Sequence, residues 1–225
     1  MKKNKPSRHD CQSPSFLAEE RDTFSFEREL YAQGYRAVAG TDEVGRGPLA
    51  GPVVAACVIL PQNCDFAQFK DSKKLTPTVR EHLAAHLQEI GAVIGIGVVL
   101  EQEIDRLNIL QASLLAMKQA MENMAGQPDF LLVDGKFQVP VALPQQALIK
   151  GDSRSASIAA ASIVAKVTRD SLMRQYHLQY PQYSFHTNMG YPTADHRRAL
   201  AIHGPCPLHR KSFSGVKEFF ATVND

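Results

Sequence analysis

The chain has 225 residues, of which 44% are hydrophobic and 21% are charged, and its formal net charge is +2. These values predict one compact globular domain with extensions, and they exclude a strongly basic chain that binds nucleic acid through its total charge. No segment reaches the roughly 18 apolar residues of a membrane span, and the basic N-terminus lacks the apolar stretch of a secretory signal.

The placement of charges and cysteines is more informative than the totals. Between residues 196 and 217 there is no Asp or Glu, which indicates either a basic surface for phosphates or a solvated charged face. The basic residues of this run are Arg197, Arg198, Arg210, Lys211 and Lys217. The four cysteines have neither C-x-x-C spacing nor a histidine pair at zinc-finger spacing, so reduced thiols in a cytoplasm are the simplest interpretation.

The N-terminal part of the chain is polar up to about residue 22 and shows no period. We expect a largely mobile extension over residues 1–35 and a folded domain over residues 36–225. Within the extension, residues 24–33 predict a short helix that Gly34 closes.

Five apolar or β-rich runs predict strands, and helical signals fill the gaps between them. The expected strands cover residues 35–42, 52–60, 91–100, 129–134 and 147–150. One expected helix begins at Pro77, with Thr76 as its N-cap. Three more are expected over residues 101–125, 153–179 and 192–203. Many small residues near the start of the helix over residues 153–179 allow it to pack closely on a sheet. Strands first, then alternation of strand and helix, predict an α/β fold with a mixed sheet.

Four acids stand at the ends of these apolar elements: Asp42, Glu43, Asp134 and Asp152. Each alone has an ordinary interpretation. Asp134 with the following glycine suits a turn, Asp152 suits a helix N-cap, and the other two suit a solvated strand end. Together, acids from different strands can converge at one sheet edge. Their mutual repulsion and their oxygen ligands then favour Mg²⁺ or Mn²⁺, bound as a pair that cleaves phosphodiesters.

The segment after the first pair of acids adds a second signal. Neighbouring strand residues face opposite sides, so Asp42 and Glu43 share a site only if the strand ends there. Gly45 and Gly47 supply such a break, and Arg46 between them can bind a phosphate with both arms of its guanidinium. The alternative is a tight turn with an exposed arginine.

Another candidate carries less weight. His82 and His86 lie four residues apart on an expected helix, but the segment between them lacks the glutamate of a metalloprotease. A solvated helix face is the favoured interpretation.

Long motifs in the chain resemble bacterial ribonuclease HII from about residue 36 to the C-terminus. They are GTDEVGRGPLAGPVVAACVIL, DSKKLT, LVDGK, KGDSRSASIAAASIVAKVTRD, YPQYSF, GYPTADH and HRKSF. The resemblance implies a ribonuclease H-like fold, with a five-stranded mixed sheet flanked by helices and a small C-terminal helical part. It implies a monomeric endonuclease for RNA–DNA hybrids and for duplex DNA that contains single ribonucleotides. Cleavage 5′ of the ribonucleotide would leave 3′-hydroxyl and 5′-phosphate ends.

The same resemblance assigns roles to individual residues. Asp42, Glu43, Asp134 and Asp152 would bind two Mn²⁺ or Mg²⁺ ions as the catalytic quartet. The segment Gly45, Arg46 and Gly47 would contact the backbone at the scissile ribonucleotide and sense its 2′-hydroxyl. Tyr191 would stack on the following sugar, although a buried tyrosine beside a turn is its alternative.

One departure and two rival functions remain. The family usually has Lys before Gly-Tyr, whereas this chain has Met189, so a phosphate contact is missing. The rival enzyme is another ribonuclease H-like nuclease, such as a resolvase or a type 1 enzyme. The rival from a different class is a non-catalytic duplex-binding module, against which the intact acidic quartet argues.

Overall fold

The protein is described here from a computed structural model. It describes residues 22–69, 72 and 75–221. The expected mobile stretch at residues 1 to about 22 lies outside this range except for its last residue.

One sheet of five strands organises the molecule. The strands are β1 (Val38–Val44), β2 (Val53–Ile59), β3 (Val93–Val99), β4 (Phe130–Asp134) and β5 (Gln145–Leu148). Their order is β3-β2-β1-β4-β5. The first three are antiparallel neighbours, whereas β4 is parallel to both β1 and β5, so the sheet is mixed as expected.

Eight α-helices surround this sheet within the described residues. They are α1 (Ser25–Ala32), α2 (Pro77–Glu89), α3 (Glu101–Leu107), α4 (Ile109–Glu122), α5 (Ala156–Gln179), α6 (Phe185–Asn188), α7 (Ala194–His203) and α8 (Glu218–Ala221). Thr76 caps α2 as predicted. None of the helices in the described part of the chain combines the length and apolarity needed to cross a membrane.

Small residues let the two helical layers approach the sheet closely. A Cβ on Gly40 of β1 would lie 2.3 Å from backbone atoms of α5, and a Cβ on Gly97 of β3 would lie 2.0 Å from the Ala116 carbonyl oxygen of α4. Apolar clusters fill both layers, one between the sheet and α2 and α5, the other between the sheet and α4. The close packing predicted for the small-residue helix is confirmed.

The predicted single helix over residues 101–125 is wrong in one respect. It divides at Asn108, whose φ is 73° and whose side-chain oxygen accepts from the backbone N–H groups of Leu110 and Gln111. A side chain that satisfies the first free N–H groups of a helix starts a new one at that residue. The apolar stripe continues across the break, and periodicity alone therefore does not reveal it.

The first helix is packed into the domain. Phe24 and Leu30 are buried beside Glu27, which is fully buried. Glu27 Oε1 accepts from the Ser155 hydroxyl at 2.6 Å and from the Ser157 N–H at 3.0 Å. Helix α1 thus supports the first turn of α5, and the described residues before 36 form part of the folded unit.

Candidate active site

Asp42 and Asp134 lie side by side on two parallel strands, Asp134 as the last residue of β4 and Asp42 two residues before the end of β1. The register pairs Thr41 with Val133, which makes the two aspartates the next residues of their strands. Gly40, two residues before Asp42, faces α5, so strand alternation directs Asp42 to that side of the sheet. Asp42 is 6% exposed and its Oδ1 accepts from the Glu43 N–H at 2.7 Å.

Glu43 lies near Asp42 and Asp134, although β1 does not end where we expected. Strand β1 does not end at Glu43 but continues to Val44. Gly45 then turns the chain with a φ of +98°. The Glu43 side chain is 8% exposed and accepts from Arg46 at 2.9 Å. Its charge still acts on Asp42, and the charge of Asp134 acts on both of them.

Asp152 follows β5 in a short 3₁₀ turn, Gly151–Ser153, and is 7% exposed. The N–H of the preceding Gly151 donates to Asp134 Oδ1 at 2.7 Å, which links this turn to the end of β4. The alternative interpretation of Asp152, as the N-cap of the following helix, is excluded because the N-cap of α5 is Ser155.

The electrostatics of these acids fit a cation site. Burial, followed by the charges of Glu43 and Asp134, raises the pKa of Asp42 well above its usual value. Burial also raises the pKa of Glu43, although Arg46 partly opposes this shift. Two adjacent carboxylates with raised pKa values, those of Asp42 and Glu43, have too little positive charge around them to offset their burial, and carboxylate oxygens suit Mg²⁺ or Mn²⁺. Across residues 22–69, 72 and 75–221, however, no three acid, His or Cys side chains stand at the spacing of an assembled metal site.

A serine network supports the Asp42 carboxylate from α5. Ser162 forms a side-chain hydrogen bond with Asp42. Its hydroxyl also lies 2.8 Å from the hydroxyl of Ser72, and both serines are buried. We did not predict this network from the sequence. Its only signal there is a hydroxyl among the small residues of the helix that covers the sheet.

The predicted substrate-binding residues form one surface, which we call the loop surface and define as Gly45, Arg46, Gly47 and Tyr191. A Cβ built on Gly47 would lie 3.7 Å from Cε1 of Tyr191, so the two segments are in contact range. The Tyr191 side chain is 40% exposed, which excludes the alternative of a buried core tyrosine. The Arg46 side chain is 49% exposed.

Two fully buried arginines hold the loop surface from below. Arg169 donates to the carbonyl oxygens of Pro52, Ala50 and Met189 at 2.9, 3.2 and 2.9 Å. Burial lowers its pKa. Since Met189 precedes Gly190 and Tyr191, Arg169 connects the turn after Gly47 to the segment that carries Tyr191.

Arg210 plays a similar part for the Gly45 turn. Its guanidinium donates to the carbonyl oxygens of Gly45, Arg46 and Gly51 at 2.6–3.1 Å. Burial and the charge of Arg169 lower the pKa of Arg210 to about 9. Arg210 thus does not belong to an exposed basic surface, which corrects the interpretation of the C-terminal charge run. The other members of that run are exposed: Arg197, Arg198, Lys211 and Lys217.

Met189 is in the left-handed region with a φ of 51°. Its side chain is half-buried and packs against the apolar cluster of the C-terminal part, which includes Phe185 and Leu200. The methionine found where the family usually has lysine therefore contributes to the packing beside Tyr191.

A mixed five-stranded sheet flanked by helices, with acids on β1, on β4 and on the turn after β5, is the architecture of a ribonuclease H-like protein. Comparison with known proteins identifies the family to which the chain belongs. The ribonuclease HII family model matches residues 39–216, and the chain belongs to that family. Curated relatives agree. The chain is 62% identical over 202 residues to ribonuclease HII of Desulfotalea psychrophila, covering 88% of this chain and 90% of the relative. It is 52% identical over 202 residues to that of Geobacter metallireducens, covering 90% and 95%.

Solved structures share the fold. The ribonuclease H2 of Pyrococcus horikoshii OT3 matches with a TM-score of 0.69 and 25% identity, over 83% of this chain and 98% of that one. A Bst-RNase HIII solved in complex with Mn²⁺ matches with a TM-score of 0.67 and 20% identity, over 86% and 72%. The chain is accordingly an endoribonuclease of the type 2 ribonuclease H class, acting on RNA–DNA hybrids with the metal dependence of its family.

Proposed function

We propose that this chain hydrolyses the RNA strand of RNA–DNA hybrids and cuts 5′ of single ribonucleotides in duplex DNA. The products carry 3′-hydroxyl and 5′-phosphate ends. Asp42, Glu43, Asp134 and Asp152 hold two divalent ions, Mg²⁺ or Mn²⁺. The observation that carries this proposal is the parallel alignment of buried Asp42 with half-buried Asp134, two carboxylates on adjacent strands whose charges act on each other.

The bound ions supply activation of the attacking water and stabilisation of the leaving oxygen. The contribution of the protein is to hold the carboxylates in place before they bind. The Gly151 N–H orients Asp134, while the Glu43 N–H and Ser162 orient Asp42. Groups of this kind, which orient metal ligands, raise both affinity and activity.

The loop surface selects the ribonucleotide. The 2′-hydroxyl is the group that distinguishes RNA from DNA at one nucleotide, and recognition must therefore occur at close range. Glycine at positions 45 and 47 lets the backbone approach a sugar closely, and the half-exposed Tyr191 ring beside Gly47 offers a stacking face. The Arg46 guanidinium, which now donates to Glu43, can bind a substrate phosphate in its place.

The exposed basic residues of the C-terminal part provide affinity for the duplex. Arg197, Arg198, Lys211 and Lys217 carry no sequence information, and phosphate contacts of this type weaken as salt rises.

A labelled duplex with one embedded ribonucleotide tests the proposal. Cleavage on its 5′ side with Mg²⁺ or Mn²⁺, and none with EDTA, is the expected result. Cleavage of long hybrids only would point to a type 1 enzyme, because type 1 enzymes require a longer RNA run. Binding without cleavage under every metal condition would favour the duplex-binding module.

We also infer that the enzyme works as a monomer in the cytoplasm, in the excision of ribonucleotides from replicated DNA. In support, the three cysteines among the described residues, Cys57, Cys64 and Cys206, are free thiols. Sedimentation at micromolar concentration should give the mass of one chain, and a dimer would contradict the inference.

A further inference from the structure

Two buried histidines connect the Tyr191 segment to the loop that carries Arg210. His196 Nδ1 lies 2.9 Å from the Tyr191 carbonyl oxygen, and His196 Nε2 lies 3.0 Å from His209 Nε2. At the far end, the Cys206 N–H donates to His209 Nδ1 at 3.0 Å. His196 and His209 are 0% and 1% exposed.

When both rings are neutral, these contacts allow one arrangement of the ring protons. A carbonyl oxygen only accepts, so His196 must carry its proton on Nδ1 and accept at Nε2. His209 must then donate from Nε2 and accept at Nδ1 from Cys206. This arrangement satisfies all four ring nitrogens. The Cys206 carbonyl oxygen also lies 3.3 Å from His209 Nδ1, but this contact is longer than the 3.0 Å bond from the Cys206 N–H. Burial favours the neutral forms, since it lowers the pKa of His196 and, together with the charge of His196, lowers the pKa of His209 to about 4.

Two aromatic side chains pack against the histidine pair. Tyr183 and Phe185 both pack against both imidazole rings, with centroid distances of 4.8–6.3 Å. His209 also forms an isolated β-bridge with Ala50, in the turn that follows Gly47. The next residue, Arg210, binds the carbonyl oxygens of Gly45 and Arg46.

Two consecutive side chains therefore reach both halves of the loop surface. Arg210 holds the Gly45 turn directly, and His209 holds Tyr191 through His196. The hydrogen bond from His196 holds the backbone of Tyr191, the residue whose ring lies beside Gly47.

We propose that His196 and His209 are positioning residues that hold Tyr191 against Gly47 for recognition of a single ribonucleotide. The inference rests on the proposed role of Tyr191 in the loop surface. It assigns no contact between either histidine and the substrate.

A pair of substitutions at one position separates positioning from general stability. His196→Asn places an amide nitrogen near the position of Nδ1 and can still donate to the Tyr191 carbonyl. His196→Gln places its amide near Nε2, so it keeps the contact with His209 and loses the bond to Tyr191. Both remove the same buried ring. The glutamine variant should lower kcat on the single-ribonucleotide duplex by about tenfold more than on a long hybrid, whereas the asparagine variant should keep the wild-type ratio. Equal ratios in the two variants would overturn the proposal.

A fluorescence measurement separates this inference from the proposed function. The chain has no tryptophan, so Tyr191→Trp introduces a single reporter at the position in question. Added to this background, His196→Gln should lower the anisotropy of the tryptophan and His196→Asn should not. If Tyr191→Ala leaves the substrate ratio unchanged, the proposed role of Tyr191 fails, while the anisotropy still decides whether His196 positions residue 191.

The unsubstituted protein offers a test that does not depend on variant folding. Long-range proton–nitrogen correlation spectra at pH 7.5 should show His196 protonated at Nδ1 and His209 protonated at Nε2. The opposite tautomer at either ring, or a charged ring, would overturn the proposal.

Discussion

The acidic sheet edge, formed by Asp42, Glu43, Asp134 and Asp152, and the loop surface are held by different kinds of contact. Backbone pairing between β1 and β4 aligns Asp42 with Asp134. The loop surface has no such ladder. It depends on buried side chains that bind its carbonyl oxygens from far along the chain, such as Arg210 on Gly45 across 165 residues.

This difference has a physical consequence for mutations. A strand keeps its register when one side chain changes, because many backbone hydrogen bonds hold it. A loop held by two arginines and a histidine pair loses several bonds when one side chain is removed. Substitutions at the acidic edge should therefore affect chemistry and leave stability largely unchanged, whereas substitutions beneath the loop surface should affect stability and substrate choice.

Substitution of single acids tests the first half of this comparison. Asp42→Asn or Asp134→Asn should lower the cleavage rate by about 1,000-fold or more, since a direct metal ligand outweighs the roughly 10- to 100-fold contribution of the groups that orient it. Neither should lower the melting temperature without metal, because each relieves repulsion among buried carboxylates. Parallel cleavage assays and calorimetry measure the two effects. Loss of cooperative melting would show that the acid is structural.

Removal of a buried arginine tests the second half. Arg210→Met should lower the free energy of unfolding by about 3 kcal/mol or more, because it leaves the carbonyl groups of Gly45, Arg46 and Gly51 without these donors, at about 1–3 kcal/mol each. Arg106→Met is the matched control, since Arg106 bonds only to Glu103 at the surface. Urea unfolding of both variants measures the two free energies of unfolding. Equal small decreases in the two variants would contradict the structural role of Arg210.

Acid should weaken the loop side of the molecule through the histidine pair. The folded-state pKa of His209 is about 4, below the usual value of about 6.5. The stabilisation from the neutral ring is therefore complete above pH 6.5 and is lost as pH falls toward 4. Between these values the loss amounts to about 1.4 kcal/mol per pH unit for this proton. Urea unfolding of the wild type and of His209→Gln across this range gives the difference, which should shrink as pH falls. A constant difference would mean that His209 is charged in the folded state.

The exposed tyrosine of the loop surface should affect substrate choice. Tyr191→Ala should slow cleavage of the single-ribonucleotide duplex by about tenfold more than cleavage of a long hybrid, in line with the loss of one stacking contact. Tyr191→Phe keeps the ring and should keep the ratio. Rates on both substrates under single-turnover conditions measure the effect, and equal losses for alanine would remove the support for stacking.

The smallest effect concerns the position where the family usually has lysine. Met189→Lys should tighten binding to both substrates and steepen the dependence of log K on log salt by about 0.9, the value for one added phosphate contact. Val79→Lys, at an exposed site on α2, is the control for added charge. Affinities measured at four salt concentrations give the slopes. An unchanged slope for Met189→Lys would mean that the lysine does not reach a phosphate.

The sequence by itself determined the elements and the acids that end them. The runs of alternating or continuous apolar residues predicted all five strands, and the motifs predicted the family, because both are local patterns of side-chain type. Tyr191 and the segment from Gly45 to Gly47 were named as one functional group by the resemblance, and the structure brings them together.

Only the tertiary structure decided how these parts are held. It extended β1 past Glu43, gave the N-cap of α5 to Ser155, and buried Arg210 beneath a loop instead of exposing it. It also buried Glu27, which lies three residues from both Phe24 and Leu30, and paired it with Ser155 and Ser157. None of these follows from periodicity. A buried polar group must find a partner, and which partner lies within reach depends on the order of the strands and the path of the chain.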